Sequence, residues 1–283
     1  MTYHSLNQLG KSVLEAAFCE NASFDALCLL EYCSGATRTQ LLLNAAETVK
    51  DENERQYRTL IGRRAKGEPL QYILGKWEFM GLEYFVGPGV LIPRPETEIL
   101  VELAIKELEY RNQAVVFDLC AGTGCIGISI AKLCKNAKVY LIEKSPQAFE
   151  YLQKNLTNYC LDNAVAICGD VLKGFQAFGL SKPDIILSNP PYIPSDQLST
   201  LQTEVKFEPV QALDGGIDGL DFYKVLIDRW FQFINDGGFM AVECGEGQAC
   251  QITADFSGSS GNVGIVFDLN GIERVVVAKK NDC

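Results

Sequence analysis

The sequence is poor in the side chains on which most metal sites and much acid–base catalysis depend. Its 283 residues include one histidine, His4, and none of the eleven cysteines forms a C-x-x-C pair. Zinc sites are usually built from closely spaced cysteines and histidines, and histidine is the commonest general base near neutral pH. We therefore predict no metal site and no histidine-based catalysis.

Long apolar runs are also missing, since no run reaches the roughly 18 residues that a membrane-spanning helix needs. Residues 1–10 lack the basic and apolar regions of a secretory signal peptide. The cysteine count is odd, and Cys28, Cys120, Cys168 and Cys244 lie in apolar runs, which favours reduced core thiols over a disulfide framework. These absences predict a cytoplasmic protein without membrane contact.

Basic residues are outnumbered, with 25 Lys and Arg against 36 Asp and Glu and a formal net charge of −11. Because nucleic-acid binding needs cations to neutralise phosphates, we expect no stable nucleic-acid binding. Residues 1–75 carry eight basic and nine acidic residues, a net of −1, which leaves −10 for the remainder. Arg55, Arg58, Arg63 and Arg64 could meet an acidic partner, although a solvated helical face is the commoner reason for such a run.

Residues 1–66 show apolar positions at helical spacing, beginning at Leu6, and no strand alternation. Gly35 is a candidate helix stop, and Ser23 and Thr39 are candidate N-caps. We expect four or five short helices in a bundle that forms an N-terminal domain over residues 1–75. Its charge differs from that of the remainder, which would suit a partner-docking domain.

Residues 76–92 are aromatic and β-branched with interspersed glycines, a composition that predicts a linking β-hairpin. From residue 93 to 283 strands and helices alternate, as in an α/β fold with a mostly parallel, Rossmann-like sheet covered by helices on both faces. Two late strands without an intervening helix suggest a hairpin at one sheet edge. The predicted strands are 115–120, 138–143, 164–170, 184–188, 238–244, 264–269 and 274–278.

The first strand of this sheet ends in a glycine turn, Asp118-Leu119-Cys120-Ala121-Gly122-Thr123-Gly124, directly before an apolar helix. Glycines let the backbone approach a ligand at a helix N-terminus, so a nucleotide-like cofactor is indicated. Glu143 ends the second strand about 20 residues later, where a carboxylate can accept both ribose hydroxyls. The turn could also serve packing alone, Asp118 could simply accept loop N–H groups, and the whole pattern fits NAD as well.

The fourth strand is followed by Asn189-Pro190-Pro191-Tyr192, a motif for which a dehydrogenase has no use. With the glycine turn, it resembles class I S-adenosylmethionine methyltransferases that modify exocyclic amines or amide nitrogens. An amide nitrogen is a poor nucleophile because its lone pair is delocalised. The Asn189 side-chain oxygen and the Pro190 carbonyl could accept both of its N–H groups and aim the nitrogen.

The prolines fix φ, and Tyr192 offers a flat surface for a planar amide or base. The alternative is an ordinary tight turn in which Tyr192 is a packing aromatic. Asp170, which ends the third strand, could accept an adenine amino group or merely cap a turn.

Two further segments, 67–75 (GEPLQYILG) and 90–98 (VLIPRPETE), resemble the protein-(glutamine-N5) methyltransferases that modify peptide-chain release factors. The resemblance covers nearly the whole chain, including Phe207-Glu208-Pro209, and is weakest over residues 1–50. It implies S-adenosyl-L-methionine as cofactor, S-adenosyl-L-homocysteine as product, and the glutamine of a Gly-Gly-Gln motif in release factors as substrate. It also implies that residues 1–75 dock the substrate protein and residues 93–283 are catalytic.

The same resemblance implies roles for individual residues. Asn189, Pro190 and Tyr192 are the implied catalytic residues, and the implied substrate-binding set adds Pro191, Arg94 and Glu96. The segment Pro93-Arg94-Pro95-Glu96-Thr97 is implied to border the same pocket. The implied cofactor contacts are Asp118, Cys120, Ala121, Gly122, Thr123, Gly124, Glu143, Asp170, Val171 and Asn189. Two positions depart from the family pattern, because Cys120 stands where many relatives have glycine and Glu143 replaces aspartate, and both are expected to shift cofactor affinity rather than abolish binding.

Two other functions remain open at this point. An amino methyltransferase acting on adenine or guanine in DNA or RNA would use the same Asn189 to Tyr192 motif, but the acidic charge counts against it. A cofactor-binding module that only contacts translation factors would not need so complete a set of motifs.

Overall fold

The computed structural model describes residues 1–256 and 262–281. Within them, no helix is long and apolar enough to cross a membrane. The chain separates into two compact units: Met1–Lys76 with Gln202–Phe207, and Trp77–Leu201 with the described residues from Glu208 onward. The functional roles of residues 1–75, 76–92 and 93–283 stay a prediction.

The first unit is a helical bundle, as predicted. Its helices are α1 (Tyr3–Ala16), α2 (Ala22–Ser34), α3 (Arg38–Leu43), α4 (Asp51–Arg64) and α5 (Leu70–Leu74). Gly35 ends α2 with φ of 69°, as predicted, because glycine adopts the left-handed conformation at little cost. The prediction for Ser23 is wrong, because α2 begins at Ala22 and Ser23 lies inside it. The prediction for Thr39 is also wrong: α3 begins at Arg38, and Thr37 forms a capping box with Gln40.

A buried ion cluster ties the segment Gln202–Phe207 into the helical unit. Arg64 at the end of α4 is 3% exposed, and its Nε donates to Asp25 Oδ2 of α2 at 2.6 Å. Its Nη2 donates to Glu204. Arg64 therefore contradicts the interpretation of the arginine run as a solvated or partner-binding face, whereas Arg58 is half exposed beside Glu54 and fits it.

The predicted hairpin consists of β1 (Lys76–Phe79) and β2 (Leu82–Phe85), which pair as a two-stranded sheet. Met80 and Gly81 connect the strands with φ of 53° and 67°. Two successive positive φ values are typical of the tight turns whose twist matches that of paired strands. The hairpin thus depends on glycine at the second position and a strained methionine at the first.

The second unit contains the predicted α/β fold with a seven-stranded sheet. Its strands are β3 (Ala114–Leu119), β4 (Ala137–Glu143), β5 (Ala164–Cys168), β6 (Ile185–Ser188), β7 (Phe239–Glu243), β8 (Asn262–Phe267) and β9 (Glu273–Lys279), in the order β5-β4-β3-β6-β7-β9-β8. Its helices are α6 (Glu98–Leu108), α7 (Cys125–Leu133), α8 (Pro146–Tyr159), α9 (Asp221–Arg229) and α10 (Ala249–Phe256). Strand β9 pairs antiparallel with both β7 and β8 and so runs opposite to the other six strands, which confirms the predicted edge hairpin of β8 and β9.

Both faces of the sheet are packed. In β6 all four residues are buried; Ile185 and Leu187 belong to one apolar cluster and Ile186 to the other, as the two-residue side-chain period of a strand requires. Polar residues accumulate where parallel strands end, as with Glu143, Ser188 and Glu243. The carboxyl ends of parallel strands are where ligands bind in open α/β sheets.

The ten cysteines in the described ranges are free thiols, as expected for a reduced protein. Of the four predicted core thiols, Cys244 is buried and Cys28 and Cys120 are partly buried, but Cys168 at the end of β5 is exposed, so its placement in the core is wrong. The apolar run that contains Cys168 forms an edge strand of the sheet, where only part of each side chain is covered.

Candidate active site

A cavity of about 300 Å³ lies at the carboxyl edge of the sheet. Ten of the sequence-predicted site residues line it: Arg94, Cys120, Ala121, Gly122, Thr123, Glu143, Asp170, Val171, Asn189 and Pro191. Five others are not part of its lining: Glu96, Asp118, Gly124, Pro190 and Tyr192. Residues from five separate segments of the chain therefore meet around one space of the size that holds a small molecule.

The glycine turn between β3 and α7 is closely packed from behind. Gly124 is the N-cap of α7 with φ of 81°, and a Cβ there would lie 2.4 Å from Leu152 Cδ1. Asn155 of α8 donates its Nδ2 to the Thr123 carbonyl at 2.9 Å. Helix α8 thus fixes the turn, and only glycine fits at position 124.

Cys120 opens the same turn with φ of 63°, in the region where an L side chain crowds the following carbonyl. That conformation costs an L residue about 1–2 kcal/mol of folding free energy. A change to glycine removes this cost, but glycine loses more conformational entropy on folding, which offsets about 0.5–1 kcal/mol of the gain. The family's preference for glycine therefore has a backbone reason at this position.

We expect the Cys120→Gly variant to be more stable than Cys120→Ala by about 0.5–1 kcal/mol. Both variants remove the thiol, so their difference isolates the backbone term, and urea unfolding of the full chain would measure it. The reverse change in the same turn, Gly122→Ala at φ of 55°, should lower stability although no atom lies closer than 3.9 Å to the new Cβ. Equal stability of the two Cys120 variants would contradict this account.

Two carboxylates stabilise the turn. Glu143 Oε2 accepts the Gly122 N–H at 2.8 Å, and its Oε1 accepts the Ser145 N–H at 2.6 Å. Burial raises the pKa of Glu143, against the effect of these donors. Asp118 is fully buried and its Oδ2 accepts the N–H of Gly127 in α7 at 2.9 Å, so its donor lies in the helix and not in the loop, while its Oδ1 has no partner among the described residues.

Asp170 both caps a turn and lines the cavity. Its Oδ1 accepts the Leu172 N–H at 3.0 Å, and its Oδ2 lies 2.9 Å from Lys144 Nζ. Partial burial works against ionisation, but the Lys144 ammonium and the Leu172 N–H outweigh it and lower the pKa of Asp170. The side chain therefore faces the cavity as a carboxylate.

The backbone of the Asn189 to Tyr192 motif, which follows β6, is fixed by contacts with neighbouring residues. Pro190 and Pro191 are buried, and Gln248 Nε2 donates to the Tyr192 carbonyl at 2.9 Å. Gly219 approaches so closely that a Cβ there would lie 2.3 Å from the same carbonyl oxygen. Tyr192 is half buried, and burial raises the pKa of its hydroxyl above the ordinary value, so it stays neutral.

The side chain of Asn189 is held by Thr97, which was expected to border the pocket and does line the cavity, and through Thr97 by Glu243, which sequence reasoning missed. Its Nδ2 donates to Thr97 Oγ1 at 3.2 Å, and Thr97 Oγ1 donates to Glu243 Oε2 at 2.6 Å. Thr97 lies in segment 90–98, and the family resemblance of that segment was the only sequence signal that pointed to Thr97. Glu243 ends a buried strand. Acidic side chains are rarely buried, so this position could have been recognised from the sequence as a candidate site residue.

Arg94 reaches the cavity but is already paired. Its Nη2 donates to Glu208, which is 4% exposed and also accepts the Ile92 N–H at 2.9 Å. Glu208 thus connects two positions of segment 90–98 to Phe207-Glu208-Pro209. Both segments carry the family resemblance, and Glu208 brings them into direct contact.

Two family models match segments of the chain, and solved structures share its fold. Residues 6–75 match the family described as the PrmC N-terminal domain, and residues 96–208 match the methyltransferase small domain. A methyltransferase structure from Pyrococcus furiosus shares the fold at a TM-score of 0.54 and 18% identity, covering 80% of this chain and 98% of that one.

Two full-length relatives carry the same name. The release factor glutamine methyltransferase of Geobacter sulfurreducens is 41% identical over 259 residues, which cover 91% of this chain and 89% of that protein. That of Clostridium acetobutylicum is 38% identical over 271 residues, 94% of each chain. With the glycine turn, the Asn189 to Tyr192 motif and the cavity they share, this identity shows that the chain belongs to the release factor glutamine methyltransferase family.

Proposed function

We propose that this protein transfers a methyl group from S-adenosyl-L-methionine to the side-chain amide nitrogen of the glutamine in the Gly-Gly-Gln motif of peptide-chain release factors. The observation that carries the proposal is that one cavity is lined by both the glycine turn and Asn189. A cofactor seated on the turn and an amide seated on Asn189 would therefore meet.

The residues around the cavity suit this cofactor. Glu143 and Asp170 supply carboxylate oxygens for ribose hydroxyls and an adenine amino group, while Ile126, Ile142 and Val171 supply apolar surface. The turn Cys120–Gly124 brings backbone close to whatever lies above it. When bound, the cofactor supplies an electrophilic methyl group on a sulfonium.

Asn189 and Pro190 would orient the substrate. The Asn189 Nδ2 is engaged by Thr97, which leaves Oδ1 as an acceptor, and no described residue donates to the Pro190 carbonyl. Two acceptors in fixed positions would take both N–H groups of the glutamine amide and direct its lone pair to the methyl carbon. Such positioning of two reactants is worth on the order of 7–11 kcal/mol in favourable cases. The product nitrogen then releases a proton.

The remaining predicted residues have roles toward the substrate or the frame of the site. Pro190 and Tyr192 are not part of the cavity lining, so we place their contacts on the glutamine side, with the Tyr192 ring against the flat amide. Arg94, buttressed by Glu208, would border the substrate, and Glu96 would contribute charge nearby. Asp118, Gly124 and Val171 would support the cofactor.

We assign the helical residues 1–75 to docking the release factor, and the reaction to the cytoplasm, where translation ends. A net charge of −11 disfavours nucleic acid as the competing substrate, because phosphate contacts need an excess of Lys and Arg.

The test is methyl transfer from labelled S-adenosyl-L-methionine to a purified release factor, to a variant of that factor with its Gly-Gly-Gln glutamine replaced by alanine, to duplex DNA and to ribosomal RNA. We expect label in the first protein alone, and mass spectrometry should place one methyl group on the glutamine. Label in nucleic acid alone, or equal label in both release factors, would refute the proposal.

A further inference from the structure

Three side chains, Asn189, Thr97 and Glu243, form a hydrogen-bonded relay that begins at the cavity wall, which Asn189 and Thr97 line. Thr97 is 2% exposed and Glu243 is 3% exposed, so water does not compete for their hydrogen bonds. The distances along the relay are 3.2 Å from Asn189 Nδ2 to Thr97 Oγ1 and 2.6 Å from Thr97 Oγ1 to Glu243 Oε2.

The number of hydrogens fixes the direction of this relay. A threonine hydroxyl has one hydrogen, and an ionised carboxylate can only accept. When Thr97 gives its hydrogen to Glu243, only oxygen lone pairs remain for Asn189. Asn189 must then present its NH₂ group to Thr97, and its Oδ1 points the other way.

We infer that Thr97 and Glu243 are positioning residues for methyl transfer, which hold the Asn189 amide in the one orientation that offers Oδ1 to the substrate nitrogen. This inference rests on the proposed function. An amide flipped by 180° would present NH₂ to the N–H groups of the glutamine, and two donors cannot bond to each other.

The charge of Glu243 controls the direction of the relay. The ionisable groups around it are Arg94 and Glu96 before α6, Tyr192, Tyr223 of α9, Arg274 of β9, and the thiols of Cys125 and Cys244. Burial, aided by Glu96 and opposed by the Thr97 hydroxyl and both arginines, raises the pKa of Glu243 to about 7. A protonated Glu243 can donate to Thr97, which then donates to Asn189 Oδ1 and favours the flipped amide.

Thr97→Val removes the relay at nearly constant shape, and Thr97→Ser keeps it. We expect Thr97→Val to lower kcat by about 10- to 100-fold at saturating cofactor, with the KM for release factor nearly unchanged, because orientation is lost and docking is not. Thr97→Ser should recover most of kcat. A kcat of Thr97→Val close to that of the unsubstituted protein, or equal losses in both variants, would overturn the inference.

The isosteric Glu243→Gln supplies a second test by pH. In the unsubstituted protein kcat should fall as pH drops through about 7, the pKa of Glu243, because the protonated acid reverses the relay. Glu243→Gln should have a lower kcat without this acidic limb. A limb that persists in Glu243→Gln would contradict the role of Glu243.

A readout without substrate separates this inference from the proposed function. The Asn189 side-chain ¹⁵N–¹H signals, identified by their loss in Asn189→Ala, should shift with the titration of Glu243 and stop doing so in Glu243→Gln. If no release factor is methylated, the proposed function fails, but these signals still show whether Glu243 sets the orientation of the Asn189 amide. If the Asn189 side-chain signals of the unsubstituted protein do not shift with pH, the inference is refuted even if methylation is observed.

Discussion

Replacing Asn189 by alanine is expected to lower kcat/KM for release factor methylation by at least about 10²- to 10³-fold, the usual effect of removing one preorganised hydrogen-bonding group from a reacting centre. The substrate amide would keep the Pro190 carbonyl as an acceptor but lose the Asn189 Oδ1. One N–H group would then be free to rotate, and the lone pair would no longer be aimed.

Cofactor binding in Asn189→Ala should weaken only modestly, because the glycine turn, Glu143 and Asp170 also line the cavity. Isothermal titration with S-adenosyl-L-homocysteine measures this binding separately from turnover. Asn112→Ala, at an exposed loop position, is the matched control and should behave like the unsubstituted protein. Near-normal turnover of Asn189→Ala would refute the proposed role of this side chain.

The Arg64→Met variant is expected to destabilise the helical unit by about 3–5 kcal/mol, the usual cost of removing one partner from a buried ion pair. It leaves Asp25, which is 4% exposed, with a charge that no longer has its cation. Glu204 loses the same partner, so the segment Gln202–Phe207 is no longer held by an ion pair to Arg64. Burial already raises the pKa of Asp25, against the effect of Arg64.

Urea unfolding gives the total loss, and hydrogen exchange in the full chain should locate it in α2 and α4. Adding Asp25→Asn to Arg64→Met removes the uncompensated charge and should restore part of the stability. Arg58→Met, whose pair with Glu54 lies at the surface, is the matched control and should change stability little. If Arg64→Met unfolds like Arg58→Met, the cluster is not a determinant of the unit's stability.

The sequence predicted the kind of fold because its signals are local. Alternating apolar runs and helices with 3.6-residue spacing indicated the seven strands, and every one of them is present. Gly35 ended its helix as predicted, because the left-handed conformation is a property of a single residue. Thr37 rather than Thr39 caps α3 because two candidate threonines stand two residues apart, and only one of them has Gln40 three residues later.

For the site, the sequence also placed the chemistry at the ends of strands, where parallel strands bring distant loops together. The glycine turn, Glu143 and Asn189 needed no structure to be singled out, since each is marked by its residue type directly after an apolar strand. Their individual roles stay predictions that the proposed experiments test.

Tertiary structure alone decided the contacts between side chains far apart in the chain. Arg64 was one arginine among four until Asp25 and Glu204 were found beside it. Thr97 and Glu243 are 146 residues apart, and no local pattern relates them. The sequence by itself predicted ten residues that line the cavity, because motifs are written in consecutive residues. The orientation of Asn189 depends instead on a hydroxyl and a carboxylate that only folding brings within hydrogen-bonding distance.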